Sequence, residues 1–263
     1  MPELPDVEGF RGVLAKHATG QCVERVDVAD AGVLRRVTAR QLDDALRGRC
    51  FGRPQRRGKW LIAPTDGPAV LFHFGMTGSL QWLERGAPLD RFDRVTFVTG
   101  SGELRYRDMR KLQGITLAHG GDEEGRALAG LGPDALDVTA SELDRILEGR
   151  RGAIKAVLID QKVIAGLGNL LADEILWRAG IHPRRPARSL TAEERRALHR
   201  QMRSVLRAAV RAGRVPPGPS WLTGARDRHD PRCPRCGTPL CRSRVGGRTT
   251  VWCPRHQPTM PPS

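Results

Sequence analysis

Two short pairs of metal ligands near the C-terminus constrain the fold of this 263-residue chain more than any other feature. The segments CPRC (233–236) and CPRH (253–256) each place two ligands around two intervening residues, and sixteen residues separate the pairs. This spacing is typical of a zinc ribbon, in which one tetrahedral ion staples a β-hairpin that has little core of its own. Four protein ligands leave no open coordination position, so the predicted zinc is structural. The predicted ligands are Cys233, Cys236, Cys253 and His256.

The charge balance predicts a polyanionic partner. The chain has 44 Lys and Arg residues against 29 Asp and Glu residues, which gives a formal net charge of +15. Most of the basic residues are arginine, which pairs bidentately with phosphate, so nucleic acid is the favoured partner. Arg242, Arg244 and Arg248 lie between the two ligand pairs, where a hairpin would present them to a phosphate or a groove. The alternative is that these three arginines are only solvated.

Composition and the N-terminal residues predict a cytoplasmic, nucleoid-associated protein. No apolar run approaches the ~20 residues of a membrane-spanning helix, and the acidic start does not have the basic and apolar segments of a signal peptide. In a reducing compartment, Cys22 and Cys50 are predicted to be buried small hydrophobic residues. Cys241 is a further thiol, and we assign it no role.

The hydrophobic pattern of the first half predicts a helix followed by a β region. Val7, Phe10 and Leu14 fall at helical spacing, and Gly20 ends the predicted helix. Short alternating runs punctuated by Gly, Pro and Asp follow, which favours a β-sandwich or flattened barrel. These runs cover residues 23–28, 59–64, 70–74, 94–98 and 103–107.

After residue 133 the pattern becomes helical, which makes the predicted fold class α+β. The predicted helices cover 139–147, 153–161, 169–180 and a long segment from the capping box of Thr191 and Glu194 to Gly213. Two glycines in GLGN (166–169) allow a tight turn, and residues 214–232 have the composition of a loop. We expect an N-terminal β-sandwich domain at 1–133, a helical domain at 134–225, and the zinc finger with a loose tail at 226–263.

The opening octapeptide, MPELPDVE, contains a candidate nucleophile. Removal of Met1, which a small second residue usually permits, would make Pro2 a secondary amine beside the Glu3 carboxylate. An α-amino group titrates near pH ~8, so at neutral pH a useful fraction can attack an electrophilic carbon such as a sugar C1′. The resulting iminium is an electron sink for elimination, and Glu3 can exchange a proton with the sugar oxygen. The alternatives are a solvated charge and a first-turn partner of the helix dipole.

With these features, the chain resembles the formamidopyrimidine-DNA glycosylase/endonuclease VIII family of base-excision repair enzymes. The resemblance implies a monomeric, bifunctional DNA glycosylase and abasic-site lyase that binds damaged double-stranded DNA between a catalytic β-sandwich and a helix-two-turn-helix domain with a zinc finger. Several motifs in the family's order carry it: MPELPDVE, RRGKWL (56–61), HFGMTGSL (73–80), DMRKLQG (108–114), GLGNLLADE (166–174), AGIHP (179–183) and the ribbon with GRTT (247–250).

The resemblance also implies catalytic roles. Pro2 matches the Schiff-base nucleophile, and Glu3 matches the acid that assists base release and opening of the sugar ring. Lys59 matches a lysine that contacts a phosphate near the lesion and assists elimination, and Arg248 matches the finger arginine that holds the lesion phosphate. Asn169 matches a phosphate-binding asparagine at a helix N-terminus, a place that already favours anions. Without the resemblance, Lys59 is equally a solvated strand-end residue, and Asn169 a plain N-cap.

Further DNA contacts follow from the same resemblance. Met76, Arg110 and Leu112 match side chains that enter the duplex when the damaged nucleotide is flipped out, which is required because the amine cannot reach C1′ in a stacked helix. The alternative for Met76 is a core filler. Arg150 and Lys155 are candidates for contacts with the DNA backbone, and their alternative is a solvated helix charge.

Several positions depart from the family pattern. Leu112 stands where a phenylalanine wedge is usual, Phe92 where many members have a DNA-contacting histidine, and Leu171 where a tyrosine is usual. His256 replaces the fourth cysteine, and residues 214–232 form a shorter segment than the family's lesion-covering loop. The damaged base therefore remains open among oxidised purines, oxidised pyrimidines and alkylated bases.

Two other functions remain compatible with the sequence. One is a module of the same fold that binds damaged or abasic DNA without releasing a base. The other lies outside the family and is a zinc-ribbon RNA-binding protein. A covalent complex with abasic DNA would exclude the first, and displacement of RNA by abasic duplex DNA would exclude the second.

Overall fold

The computed structural model describes residues 1–259, which form two compact units. The first unit comprises Met1–Pro2 and Asp6–Ala129, and the second comprises Glu3–Pro5 and the chain from Gly130 onward. The domain boundaries predicted after residues 133 and 225 stay predictions, and the change of unit between Ala129 and Gly130 falls close to the first of them. The predicted loose tail lies, from residue 260, outside the described residues.

Antiparallel strands dominate the first unit. They are β1 (Val23–Val28), β2 (Gln55–Arg57), β3 (Trp60–Ala63), β4 (Ala69–His73), β5 (Ser79–Leu83), β6 (Asp93–Thr99), β7 (Glu103–Arg107) and β8 (Ile115–Ala118). One four-stranded sheet has the order β1-β6-β7-β5 and the other β2-β3-β4-β8. Phe72 of the second sheet packs on Phe97 and Tyr106 of the first, with ring centroids 5.8 and 6.1 Å apart. The two sheets thus share one core, which confirms the predicted β-sandwich.

Three helices accompany these sheets: α1 (Leu4–His17), α2 (Ala39–Leu46) and α3 (Gly121–Leu128). The predicted leading helix is confirmed, and its Phe10 ring packs 4.4 Å from that of Phe74. The sequence analysis missed α2, although Thr38 and Gln41 form a capping box at its start. That local signal, followed by the buried Leu42 and Leu46, would have sufficed to find it.

Helices dominate the second unit, as the sequence predicted. They are α4 (Ala140–Glu148), α5 (Ile154–Ile159), α6 (Asn169–Ala179), α7 (Ala192–Ala212) and α8 (Leu222–Ala225), and the hairpin strands are β9 (Cys241–Val245) and β10 (Arg248–Trp252). The capping box of Thr191 and Glu194 starts α7, and Gly213, with φ 64°, ends it. The short α8 lies within the predicted loop 214–232. None of the helices in residues 1–259 has both the length and the apolar run needed to cross a bilayer.

The prediction for Cys22 and Cys50 is wrong. Cys22 is exposed and Cys50 is half-buried, and a disulfide joins the two side chains. The two residues face each other in an isolated antiparallel bridge, which the Val23 N–H strengthens by donating to the Arg49 carbonyl at 2.8 Å. This pairing joins positions 28 residues apart, so no local sequence signal reports it.

His73 shapes the turn that follows β4. Its Nδ1 atom accepts a hydrogen bond from the Gly75 N–H at 3.1 Å, and Gly75 adopts a φ of 55° that favours glycine. Burial of the ring, together with the nearby Lys59 charge, lowers the pKa of His73 to about 4. The imidazole is therefore neutral at physiological pH and can act as an acceptor.

We expect the protonation of His73 to destabilise the first unit in acid. A histidine with a lowered folded pKa binds its proton more tightly when unfolded, so its contribution is full above pH ~6.5 and is lost as the pH falls toward 4. His73→Asn keeps an acceptor without titrating, and should flatten the pH dependence of the unfolding free energy by on the order of 2 kcal/mol in that window. Denaturant unfolding at each pH measures this.

The matched control for this experiment is His119→Asn, because His119 is exposed in the same unit. The control should keep the wild-type pH profile. An unchanged profile in His73→Asn would contradict the role given to the neutral ring.

Candidate functional site

The Glu3 carboxylate is buried at the start of a helix. Its side chain is fully enclosed and accepts hydrogen bonds from the N–H groups of Gly168, Leu170 and Leu171, at 3.0, 2.8 and 3.0 Å. These N–H groups belong to the first turn of α6, where no intrahelical acceptor exists and the helix dipole favours an anion. The alternative of a solvated glutamate is therefore wrong. Residue 3 serves as the cap of a helix that begins far along the chain.

The glycines of the 166–169 turn make room for the N-terminal residues. A Cβ atom on Gly168 would lie 2.2 Å from the Glu3 Cδ atom, and one on Gly166 would lie 2.5 Å from the Leu4 Cδ1 atom. Gly166 also has a φ of 110°, and its carbonyl accepts a hydrogen bond from the Leu4 N–H at 3.1 Å. The two glycines permit the predicted tight turn. Because they have no side chains, they also let residues 3 and 4 pack directly against the backbone of this turn.

Pro2 lies between the exposed Met1 and the buried Glu3. Met1 is 41% exposed, Pro2 is half-buried, and Glu3 is fully buried. Pro2 therefore directly precedes a residue whose side chain is held by hydrogen bonds to the start of α6. Cleavage after Met1 would free the Pro2 nitrogen.

Lys59 lies in the turn of the hairpin formed by β2 and β3. Arg57 and Trp60 pair across this hairpin, and Gly58, with φ 57°, completes the turn. The Arg56 side chain ties the hairpin to α1 through an ion pair with Glu8, at 3.0 Å. Lys59 itself is half-buried, so the alternative of a fully solvated strand-end lysine does not describe it.

The structure brings Met76 and Arg110 together. The buried Asp108 carboxylate accepts hydrogen bonds from the Thr77 hydroxyl at 2.5 Å and from the Arg110 N–H at 3.0 Å, which joins the two loops. The Arg110 Nη1 atom lies 2.9 Å from the Met76 sulfur. Met76 is partly exposed in its loop, so the alternative of a core filler is not supported.

Two large apolar side chains are exposed beside Arg110. Leu112 is 49% exposed, and Met109, which the sequence analysis did not single out, is 53% exposed. Proteins that kink a duplex insert exposed apolar side chains such as Leu and Met between base steps. Phe92, at a position of departure, packs instead under the Arg91 guanidinium, 4.5 Å from its ring centroid.

Asn169 is the first residue of α6 and not its N-cap. The N-cap is Gly168, and the Asn169 side chain makes no capping hydrogen bond. Its Oδ1 atom is buried and has no hydrogen-bond partner among residues 1–259. The alternative of a plain N-cap is therefore wrong. Leu171, which replaces the usual tyrosine, is buried behind it.

Among the predicted site residues, Lys155 departs furthest from its expected role as a contact to the DNA backbone. The side chain is fully buried, and its Nζ atom lies 2.6 Å from an Asp173 oxygen and donates to the Thr249 carbonyl and the Thr250 hydroxyl. Burial lowers the pKa of Lys155 and raises that of Asp173, while the attraction between the two groups opposes both shifts. The expected contact with the DNA backbone is not supported, and a solvated charge is wrong, because this ammonium group is enclosed by protein.

The same buried network holds the ribbon hairpin. Asp173 also accepts hydrogen bonds from Arg226, at 2.8 Å, and from the Val251 N–H of β10, at 3.2 Å. Sequence reasoning missed Asp173 and Arg226, although Asp173 lies in the GLGNLLADE motif. A charge within an otherwise apolar helix was the available signal.

Arg248 occupies the exposed end of this hairpin. Gly246 and Gly247, with φ of 58° and 72°, form the two-residue turn, and Arg248 is the first residue of β10. The predicted return of the hairpin over 247–250 is thereby confirmed. Arg150 is likewise exposed, and it follows the end of α4, so it is not a helix charge.

The four predicted metal ligands form one cluster. The ligand atoms of Cys233, Cys236, Cys253 and His256 all lie within 4.8 Å of one another. The Cys236 and Cys253 sulfurs are 3.7 Å apart, which matches the edge of a tetrahedron with metal–sulfur bonds of about 2.3 Å. The His256 Nε2 atom is buried and has no hydrogen-bond partner in the described chain. The donor set therefore fits a tetrahedral metal ion.

Comparisons with known proteins match this chain over its length. The family model of the formamidopyrimidine-DNA glycosylase N-terminal domain matches residues 1–115, and that of the formamidopyrimidine-DNA glycosylase H2TH domain matches residues 130–216. Formamidopyrimidine-DNA glycosylases of Geotalea uraniireducens and Methylococcus capsulatus are 35% and 36% identical, over 98% of this chain and 100% of theirs. The Lactococcus lactis enzyme, solved non-covalently bound to DNA containing an AP site, is 28% identical, with a TM-score of 0.87 over 98% of this chain and 100% of that one.

We expect Gly168→Ala to destabilise the second unit. The new Cβ would displace the Glu3 carboxylate and break its three hydrogen bonds to α6, so the unfolding free energy should fall by about 2 kcal/mol. Gly149→Ala is the matched control, because a Cβ there meets no atom within 4 Å and φ is −82°. Chemical denaturation measures both variants. Equal unfolding free energies for Gly168→Ala and Gly149→Ala would contradict the close packing of Glu3 on this turn.

Proposed function

Because the chain belongs to the formamidopyrimidine-DNA glycosylase family, we propose that it is a bifunctional enzyme, which excises a damaged base from duplex DNA and then cleaves the abasic strand. Family membership makes it a DNA glycosylase of base excision repair. The lyase step, the residues that act and the monomeric state are the proposed part. The observation that supports the proposal best is the burial of Glu3 on α6, immediately after Pro2.

Pro2 supplies the nucleophile in this proposal. Its secondary amine, freed of Met1, attacks C1′, and the electron pair of the glycosidic bond leaves with the base. The ammonium formed passes its N–H proton to the Glu3 carboxylate, and the freed nitrogen lone pair then breaks the C1′–O4′ bond to give an iminium, while Glu3 hands that proton to O4′. The iminium makes a C2′ proton acidic, and its loss expels the 3′ phosphate in β-elimination. Loss of the 5′ phosphate in a second elimination would remove the sugar.

The other predicted residues hold the DNA. Lys59 and Arg248 are proposed to bind phosphates at the lesion and to assist elimination, and Asn169 and Arg150 to bind the backbone. Lys155 is proposed to act through the network that holds the hairpin rather than by touching phosphate. Exposure of Arg248 and Arg150, and the unpartnered Asn169 oxygen at the start of α6, support these assignments.

Flipping of the damaged nucleotide is assigned to the joined loops of the first unit. Met76, Arg110 and Leu112 are proposed to fill the space that the flipped nucleotide leaves, and the exposed Met109 extends this set. An aliphatic wedge at Leu112 stacks less strongly on bases than an aromatic ring would. Cys241 has no role in the proposal.

Borohydride trapping tests the chemistry. Reduction of the iminium should join the chain covalently to abasic duplex DNA, and Pro2→Gly should largely abolish the trapped product because the secondary amine is lost. Glu3→Gln should lower base excision by about 10²-fold or more, since a general acid is removed, while it retains trapping on ready-made abasic sites. Denaturing gels measure trapping and incision.

Pro219→Gly is the control for this experiment, because it replaces an exposed loop proline. It should trap like the wild type. Binding of abasic DNA without any trapped product would favour the non-excising module. Equal loss of excision and trapping in Glu3→Gln would contradict the separate proton-transfer role.

The metal of the cluster is proposed to be structural zinc. Three thiolates and one imidazole in a closed tetrahedral set suit Zn²⁺, which holds the hairpin that carries Arg248. We expect one zinc per chain by elemental analysis, and its removal by a chelator should unfold the hairpin and weaken DNA binding. His256→Ala should lose zinc, and His256→Cys, which restores four ligands, should retain it. Full zinc content in His256→Ala would contradict this ligand set.

A further inference from the structure

The exposed side of α7 carries a row of arginines that no role above uses. At 3.6 residues per turn, the row occupies about 80° of arc, and the buried residues Leu198, Met202 and Val205 lie on the opposite side. It extends over about 22 Å of helix. We call this row the arginine stripe; it consists of Arg196, Arg200, Arg203, Arg207 and Arg211.

Acidic residues do not neutralise the stripe. The acids of α7, Glu193 and Glu194, lie in its first turn, and Glu194 pairs with Arg185. Arg195, which is outside the stripe, pairs with Asp144 at 3.0 Å. Within residues 1–259, the four exposed arginines of the stripe make no ion pair, and the fifth, Arg203, donates to a backbone carbonyl.

This arrangement is unfavourable for the helix alone. Like charges at positions i and i+4 repel, and the stripe contains three such pairs, namely 196/200, 203/207 and 207/211. Arg200, Arg203, Arg207 and Arg211 also line a surface depression of about 530 Å³ together with His199 and Ser204. Unpaired guanidinium groups that converge on a concave surface form a binding site for anions.

We propose that the arginine stripe is a second, sequence-independent binding surface for the phosphate backbone of duplex DNA. Along the axis of a duplex, a length of 22 Å takes in about six phosphates of one strand. Guanidinium groups pair bidentately with phosphate. A protein partner is disfavoured, because the core of such an interface is apolar and none of the large exposed hydrophobic side chains of the described residues lies in α7.

The choice of duplex DNA as the polyanion rests on the proposed function. The stripe shares no residue with the proposed catalytic and lesion-binding set, so it can bind lesion-free DNA whether or not the base is excised. Such a surface would keep the enzyme on undamaged DNA, because phosphate contacts support sliding without reading sequence.

Salt titration of the triple variant Arg200→Gln, Arg207→Gln, Arg211→Gln tests the proposal. The affinity of the full chain for a fluorescent, lesion-free 40-base-pair duplex is measured by anisotropy between low and physiological salt. Each lost phosphate contact lowers the slope of log affinity against log salt by about 0.9, so we expect a decrease of about 2 to 3. Excision from a short lesion duplex at saturating enzyme should keep its wild-type rate.

The matched control removes the same charge elsewhere. Arg40, Arg85 and Arg126 are exposed, and each pairs with an acid of the first unit. Their triple glutamine variant should keep the wild-type slope. An equal decrease of the slope in the control would show that only net charge matters and would overturn the proposal. A wild-type slope in the stripe variant would also overturn it. So would displacement of the duplex by single-stranded RNA at equal phosphate concentration. If the wild-type protein binds DNA but never excises a base, the proposed function is wrong, whereas the proposal that the arginine stripe binds duplex DNA still stands.

Discussion

The contact on which the candidate site depends is the one between the Glu3 carboxylate and the first turn of α6. It satisfies N–H groups that a helix start leaves without acceptors, and it does so with the side chain to which we assign proton transfer in the proposed function. The same contact explains why Gly168 has no side chain, and why Asn169 is not needed as a cap. A single hydrogen-bonded cluster thereby holds together Glu3, the turn over 166–169 and the start of α6.

A second constraint acts on the hairpin. The four candidate metal ligands cluster at its base, but they do not determine how it is attached to the helices. That attachment is electrostatic, because Asp173 on α6 joins Lys155 of α5, Arg226 and the backbone of β10. Desolvation makes a buried ionic network costly in free energy to form, and removal of one partner costs still more. The network therefore favours one orientation of the hairpin over orientations that would separate these charges. The exposed Arg248 therefore lies on a hairpin that this buried network attaches to the helices.

Sequence reasoning succeeded where the signal was local. Alternation predicted β1 over 23–28 with its observed bounds, and the caps at Thr139 and Thr191 predicted the starts of α4 and α7. It failed where the partner was distant in the chain. Nothing near Lys155 indicates that it is buried, because Thr249 and Thr250 lie almost a hundred residues away, and the disulfide of Cys22 with Cys50 is non-local in the same way. The resemblance supplied the site residues, whereas only the packing distinguished exposed from enclosed ones.

The imidazole among the metal ligands has a consequence for damage to the protein itself. Oxidants that damage DNA also attack thiolates, and every cysteine of this set is a target. In this chain three of the four donors are sulfur, and His256 cannot be converted to a sulfenic acid. The Cys236 and Cys253 sulfurs lie 3.7 Å apart, so oxidation after metal release would join them and block reloading until a reductant arrives. Redox conditions would thus govern whether the four-donor set can hold the proposed zinc.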